Sequence, residues 1–268
     1  MLSPQCEETM VAEARMTTRR VGRTFAIACR LLPRSVRDDV YLLYLVFRTL
    51  DDCVDFGEPD ADARVAAVEA WCHGGAASTR ETLVLARLDD RYGLPRDTML
   101  SFCRGMRDDL ECVPILTEED LDRYCYRVAG TVGLTMTALL GIREPAETQA
   151  AALGMAMQRT NIIRDIDEDR AKGRVYIAAE TLQRFGLPLP GRREALLRDQ
   201  IARADALYDE GVAGIAKLRR GRRAVACAAA MYREILRQIE REGYGLFEGR
   251  TVVPRTRKLL VAARTSVV

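Results

Sequence analysis

A chain of 268 residues with 48% apolar and 30% charged side chains can bury a sizeable core, and nothing in its composition splits it into separate domains. Forty-one Lys and Arg against 39 Asp and Glu leave a formal charge of +2, which excludes nucleic-acid binding by bulk electrostatics while allowing local basic patches. One histidine, His73 beside two glycines, and eight cysteines without a CxxC pair exclude histidine-built metal sites, Ser-His triads, zinc ribbons and a disulfide framework.

In chain order, an amphipathic helix is expected over residues 12–32, stopped by Pro33, with Ser35 as the N-cap of the next helix. That second helix carries seven apolar or aromatic residues from Tyr41 to Phe47, then Arg48, Asp51, Asp52 and Asp55, and ends over residues 56–59. Helical spacing recurs at 61–71, 80–91, 95–112 and 117–140, broken by Gly74 and Gly75, by Gly93 and Pro95, and by Pro114. Thr117 and Asp120 form a capping box with Asp in place of Glu. From Tyr124 and Tyr126 to Gly133 runs a stretch of small residues, which lets a bulky ligand or, more ordinarily, a neighbouring helix approach the backbone.

Gly141, Glu144 and Pro145 lead into a long helix carrying QRTNIIRDIDEDRAKGRVY, from Gln158 to Tyr176. A turn-rich connection at 186–190 and helices at 193–219 and 224–242 complete the pattern. The basic run from Lys217 to Arg223 reads as a wet interhelical turn, with a membrane-surface contact as the alternative. No strand alternation, short repeat or interdomain linker is present, so the expected fold is a single all-α domain, residues 1–268, with its core over about 20–250. The cysteines, Cys6 included, fall mostly in helix-like patterns and read as reduced, buried and intracellular. With neither a leader pattern nor an apolar run long enough to span a bilayer, a cytoplasmic location is expected.

The chemistry concentrates in two DxxxD patterns. On a helix Gln158, Asn161, Asp165 and Asp169 share a stripe of about 80°. Arg159 and Arg170 fall on the far side, where water is expected, and Ile162 and Ile166 flank the stripe. A solvated helix pairs acids with bases at this spacing, because like charges repel. Two carboxylates and an amide oxygen in line suit a hard cation, Mg²⁺ above all. The helix before it repeats the pattern: Tyr41, Tyr44, Arg48, Asp51 and Asp55 again share one stripe, at the end of a segment that is otherwise core. Three aspartates there should be held by cations. Only a compact helical fold brings the two patches, about 110 residues apart, face to face around a central cavity.

With these residues in view the chain resembles the squalene/phytoene synthase family, head-to-head prenyltransferases with the all-α isoprenoid synthase fold. The resemblance spans residues 23–250. It rests on FRTLDDCVD from Phe47 to Asp55, YCYRVAGTVG from Tyr124 to Gly133, and the second acidic run followed by Gly173, Arg174 and Tyr176. It implies that Asp51, Asp55, Asn161, Asp165 and Asp169 hold Mg²⁺, with Mn²⁺ as an alternative ion, against the diphosphates of two allylic substrates. It implies that Thr24, Tyr44, Arg48, Gln158, Arg164 and Tyr232, with Arg174 and Arg250, bind diphosphate or the substrate near it. Farnesyl or geranylgeranyl diphosphate would couple through a cyclopropylcarbinyl diphosphate to a C30 or C40 hydrocarbon. With no usable histidine, the final proton is expected to leave to Tyr124, Tyr232 or the released diphosphate. NADPH is not expected, the partners are prenyl diphosphates and no nucleic acid, and the chain is expected as a monomer or homodimer, with peripheral membrane contact for a lipophilic product. This sequence has Gly22 where the family usually has Ser, Pro114 and Ile115 for Arg-Tyr, Arg159 for Leu, and Ile177 and Ala178 for Leu-Pro. The changes at Pro114, Ile115 and Arg159 keep open an enzyme that ionises a single prenyl diphosphate on the same fold and lets it cyclise or be captured by another nucleophile. A non-enzymatic helical subunit would need the aspartates to be structural.

Overall fold

The structure, a computed structural model, describes the backbone of residues 4–266 and the side chains of residues 7–265 other than Arg23; Cys6 thus lies outside the described side chains. The residues expected as one helix over 12–32 form two, α1 (Pro4–Val21) and α2 (Arg23–Cys29), because the chain breaks at Gly22. A Cβ at that position would stand 2.6 Å from the Tyr44 hydroxyl, so the glycine makes room for the tyrosine. Helix α3 (Arg34–Asp55) starts one residue before Ser35, with Pro33 at the cap position and no side-chain cap bond. Helices α4 (Ala61–Cys72), α5 (Arg80–Tyr92) and α6 (Arg96–Leu110) follow the predicted spacing, and His73 is exposed as expected.

The segment predicted as one helix over 117–140 is continuous but not uniform. Helix α7 (Glu118–Cys125) opens on the Thr117/Asp120 capping box, passes through a π-helical turn (Tyr126–Gly130) and continues as α8 (Thr131–Leu140). The stretch of small residues is used for helix packing: Gly133 lies against the Ala150 carbonyl and Gly154 against that of Ala129, so any side chain at either position would strike backbone. Helix α9 (Glu147–Arg164) turns at Asp165 (φ −104°, ψ 11°) into α10 (Ile166–Ala171). The bonds Asp165 N to Asn161 O and Asp169 N to Asp165 O, each 2.9 Å, persist across the turn. Helix α11 (Ala179–Phe185) and the C-terminal α14 (Arg255–Ser266) lie outside the predicted elements; α12 (Glu194–Ala213), a 3₁₀ turn (Ile215–Lys217) and α13 (Arg222–Arg241) match them within a few residues. Among the described residues no strand forms, and only an isolated bridge joins Ile142 to Leu218.

Two large apolar cores and a small third one, around Ala28, Cys227, Ala228 and Met231, fill the bundle among the described residues. One large core gathers around α3 with Leu42, Leu43, Leu50, Leu85 and Phe102; the other around α9 with Ile162, Ile163, Leu197, Tyr208 and Leu236. Between them α2, α3, α8, α9 and α13 wall a largely apolar cavity of about 300 Å³. Six of the seven cysteines with described side chains are buried and Cys112 is exposed; all seven are free thiols.

Arg159 corrects the sequence reading. It is 2% exposed, not in water. The face of α9 opposite the cavity meets α7 and α12 and not solvent, so its guanidinium bonds Asp122 (Nε, 3.0 Å), Gln200 (Nη1, 3.0 Å) and Glu118 (Nη2, 2.9 Å). Glu118 also accepts from Gln200 Nε2 at 2.8 Å and from the Thr181 hydroxyl. A fully satisfied network tolerates burial, but one partner alone does not. Arg159→Ala should therefore lower the unfolding free energy by about 3–5 kcal/mol in urea denaturation; a loss below about 1 kcal/mol would show that the network does not hold α7 to α9.

Candidate active site

The first acidic patch sits on the last turns of α3, where the helix carbonyls are themselves negative. Its charge is met by arginine: Arg48 donates to Asp51 at 3.1 Å (Nη1) and to both oxygens of Asp52, one at 3.1 Å (Nε). Guanidinium groups supply the positive charge beside these aspartates in the structure. Burial at the cavity mouth and then the Asp55 carboxylate push Asp51 up to about 7, against the pull of Arg48.

The second patch follows the turn after α9. Arg164 clamps its neighbour Asp165 with two bonds (2.7 and 2.5 Å), and Arg250 Nε approaches the same carboxylate at 3.1 Å. Burial, then Asp165 and more weakly Asp55, push Asp169 up to about 6. Arg174, which follows the second patch, ion-pairs with Asp55 of the first, so the two patches share one charged assembly. Asp167, between Asp165 and Asp169 in sequence, turns away into a buried pair with Arg193 (2.8 and 2.9 Å) and accepts from Gly249 N at 2.8 Å. This pair anchors the loop that delivers Arg250.

A third group, absent from the sequence reading, joins the patches. Asp109, in the last turn of α6, accepts from the Tyr124 hydroxyl (3.0 Å) and the Tyr176 hydroxyl (3.2 Å), whose rings stack with centroids 5.2 Å apart. Arg174 reaches from Tyr176 to a short ion pair with Asp55. Burial pushes Asp109 up to about 6 although both tyrosines pull it down, and burial with the Asp109 charge drives Tyr124 far above its ordinary value. Adjacent acids at a helix C-terminus oppose the macrodipole, and the Asp108, Asp109 pair was therefore a readable signal of a charged neighbour.

Of the predicted site residues, Tyr44, Arg48, Asp51, Gln158, Asn161 and Tyr232 line the cavity; Asp55, Asp165, Asp169, Arg164, Arg174 and Arg250 form the charged assembly beside it. Tyr124 and Thr24 are not in the cavity wall; Thr24 neighbours Phe25, whose ring stacks on Tyr44 at 5.2 Å. Tyr41, on the same stripe as Tyr44, is buried in the core. Asn161 donates to Gln158 Oε1 (3.2 Å), while its own Oδ1 is buried without a hydrogen-bond partner among the described residues. An orphaned amide oxygen beside excess carboxylate is a donor set that fits a hard divalent cation. Among the described residues no three acidic, histidine or cysteine side chains already converge on one point, so such an ion would draw carboxylates from their arginines.

A raised carboxylate pKa makes the folded state bind protons more tightly than the unfolded chain, so Asp51 reduces stability as pH rises from about 4 to about 7, and the loss is complete above that. Metal-free Asp51→Asn should be more stable than the parent at pH 8, with the difference shrinking toward pH 5. Melting temperatures across that range measure it; a variant less stable than the parent at pH 8 contradicts the burial argument.

The squalene/phytoene synthase family model matches residues 18–257. The chain is 37% identical to a phytoene synthase of Thermus thermophilus, over 82% of this chain and 80% of that one. It is 34% identical to a 15-cis-phytoene synthase of Synechococcus elongatus, over 92% and 89%. In solved structures it is similar to a ligand-bound dehydrosqualene synthase, with TM-score 0.89 and 27% identity over 98% of this chain and 97% of that one. Acidic patches beside one apolar cavity, and a family match over residues 18–257 with relatives more than 30% identical, place this chain in the squalene/phytoene synthase family.

Proposed function

We propose that the chain couples two allylic prenyl diphosphates, farnesyl or geranylgeranyl, head to head into a C30 or C40 hydrocarbon. The observation that carries this reading is the pair of acidic patches meeting at the mouth of an apolar cavity, each with arginines beside it. Asp51, Asp55, Asn161, Asp165 and Asp169 would hold Mg²⁺ or Mn²⁺, which supplies Lewis-acid polarisation of the departing diphosphate. Arg48, Arg164, Arg174 and Arg250 balance those carboxylates here, and once an ion takes the carboxylates they would grip diphosphate oxygens.

When the first C–O bond breaks, the diphosphate takes the electron pair and leaves an allylic cation. The double bond of the second substrate attacks it, and loss of a proton closes the ring of a cyclopropylcarbinyl diphosphate. Breaking the second C–O bond, rearrangement and a final proton loss give the linear product. Such cations survive only where water is excluded and π-faces lie close. Tyr44, Phe25, Phe47, Phe102 and Tyr232 supply those faces on the cavity wall. For the protons, Tyr232 offers a hydroxyl on the wall, and Tyr124 offers one backed by the Asp109 carboxylate. Gly22, where a serine hydroxyl is usual, leaves its space to the hydroxyl of Tyr44, which takes over as the polar group there.

Incubation with each prenyl diphosphate and Mg²⁺, with and without NADPH, followed by mass spectrometry, tests the reading. A C30 or C40 hydrocarbon formed without NADPH is expected; a C15 or C20 alcohol or cyclic hydrocarbon would instead mark a single-substrate cyclase. Asp55→Asn and Asp169→Asn should each lower kcat at least about a hundredfold, and retention of parental kcat by either would remove that carboxylate from the ionisation step.

A further inference from the structure

The two acids that close α6 are held in different ways. Asp108 is taken by arginine: Arg104 Nε stands 3.2 Å away and Arg127 forms a short ion pair with it. Asp109 forms no ion pair among the described residues and spends one oxygen on the Tyr124 hydroxyl (3.0 Å) and the other on the Tyr176 hydroxyl (3.2 Å). A buried carboxylate at a helix C-terminus, where the carbonyls are also negative, is unfavourable without a cation beside it. Its proton affinity shows as much, pushed up to about 6 by burial against the pull of both hydroxyls. A neutral side chain of the same shape would pack there without that penalty.

What the carboxylate adds is direction. An ionised carboxylate only accepts, so both tyrosines donate to it. The Tyr176 oxygen, its proton spent, is left to accept, and it takes Arg174 Nη1 at 3.3 Å. Tyr124, stacked on the Tyr176 ring with centroids 5.2 Å apart, keeps that ring in place. Arg174 also reaches the end of α3, through its short pair with the Asp55 carboxylate and longer contacts to the carbonyls of Val54 (3.4 Å) and Asp55 (3.3 Å). It stands on the loop just past Gly173, whose φ of +75° turns the chain away from α10. An ion that took Asp55 would remove the strongest of these partners, and the Tyr176 oxygen would then be the side-chain group that keeps the guanidinium at the mouth.

We propose that Asp109 is a positioning residue: by fixing the Tyr176 hydroxyl as an acceptor it braces Arg174 at the mouth of the cavity, where the guanidinium meets the diphosphate of a substrate. Asp109 belongs to neither DxxxD pattern, acts through Tyr176 and Arg174, and touches no substrate. An amide in its place would accept on one atom only and donate on the other, so the Tyr176 hydroxyl would be free to turn its proton toward Arg174, against a guanidinium that can only donate. The brace rests on the reading under Proposed function only in that the ligand of this site is a diphosphate; it does not depend on whether two prenyl chains are coupled.

Calorimetric titration of inorganic diphosphate with Mg²⁺ into the full chain and its D109N, Y176F, R174Q and D109N/R174Q variants tests this, with circular dichroism to check folding. D109N and Y176F should each weaken diphosphate binding about tenfold. On the R174Q background, itself at least as weak, D109N should change nothing further, because the brace then has nothing to hold. E111Q, an equal charge change on an exposed residue at the same helix end, should bind like the parent. In turnover Y176F should raise KM for a prenyl diphosphate more than it lowers kcat. Parental binding by D109N, an equal loss in E111Q, or a Y176F loss confined to kcat would overturn the proposal. So would the same D109N loss with Arg174 already replaced, which would mark Asp109 as a structural clasp only. A parent that yields no coupled hydrocarbon, yet binds diphosphate with the expected losses in its variants, would leave the brace standing and sink the coupling reading.

Discussion

The structure depends on a concentration of negative charge. Helices α3, α6 and α9 all deliver their C-terminal ends to one region, and each brings carboxylates with it: Asp51, Asp52 and Asp55, then Asp109, then Asp165 with Asp169 on the next turn. Helix carbonyls and carboxylates add where they meet. Burial and mutual repulsion raise Asp51, Asp109 and Asp169 together. Arg48, Arg164, Arg174 and Arg250 offset part of this charge, and the Asn161 amide oxygen beside them is left without a hydrogen-bond partner among the described residues.

Everything else in the fold serves to bring these helix ends together over an apolar hollow. The glycines of α8 and α9 let two backbones touch, which holds the cavity wall close to the charged mouth. The Arg159 network fixes α7, and so Tyr124, from behind. The Asp167–Arg193 pair fixes the loop that returns Arg250 to the second patch. Buried ion pairs add little net stability over well-packed apolar groups, but they specify one arrangement, and here that arrangement is the site.

Both acidic patches were legible in the sequence because charge periodicity on a helix is local information: the stripe of Gln158, Asn161, Asp165 and Asp169 needs only the helical repeat. The cavity between them followed from the same logic. Arg159 was misread for the same reason that the stripe was read well. Local periodicity says which residues face away from the site, but not that α7 and α12 cover that face. Asp109 was missed because its partners, Tyr124 and Tyr176, lie far from it in sequence, and the helix-end acid was the sole local hint. The break at Gly22 likewise depends on the Tyr44 ring, a tertiary contact that no window around residue 22 contains. The short α11 and the C-terminal α14 lacked the long apolar period that makes a helix legible.

The central claim, that the two patches act on one ligand across the cavity mouth, is tested most directly by a double-mutant cycle. Calorimetric titration of Mg²⁺ with inorganic diphosphate into the parent, Asp55→Asn, Asp169→Asn and the double variant gives the coupling between the patches. The account predicts a coupling energy above about 1 kcal/mol, because both carboxylates would act on the same bound ion and diphosphate assembly. Losses that add within about 0.3–0.5 kcal/mol would mean that the patches bind independently, and would contradict it.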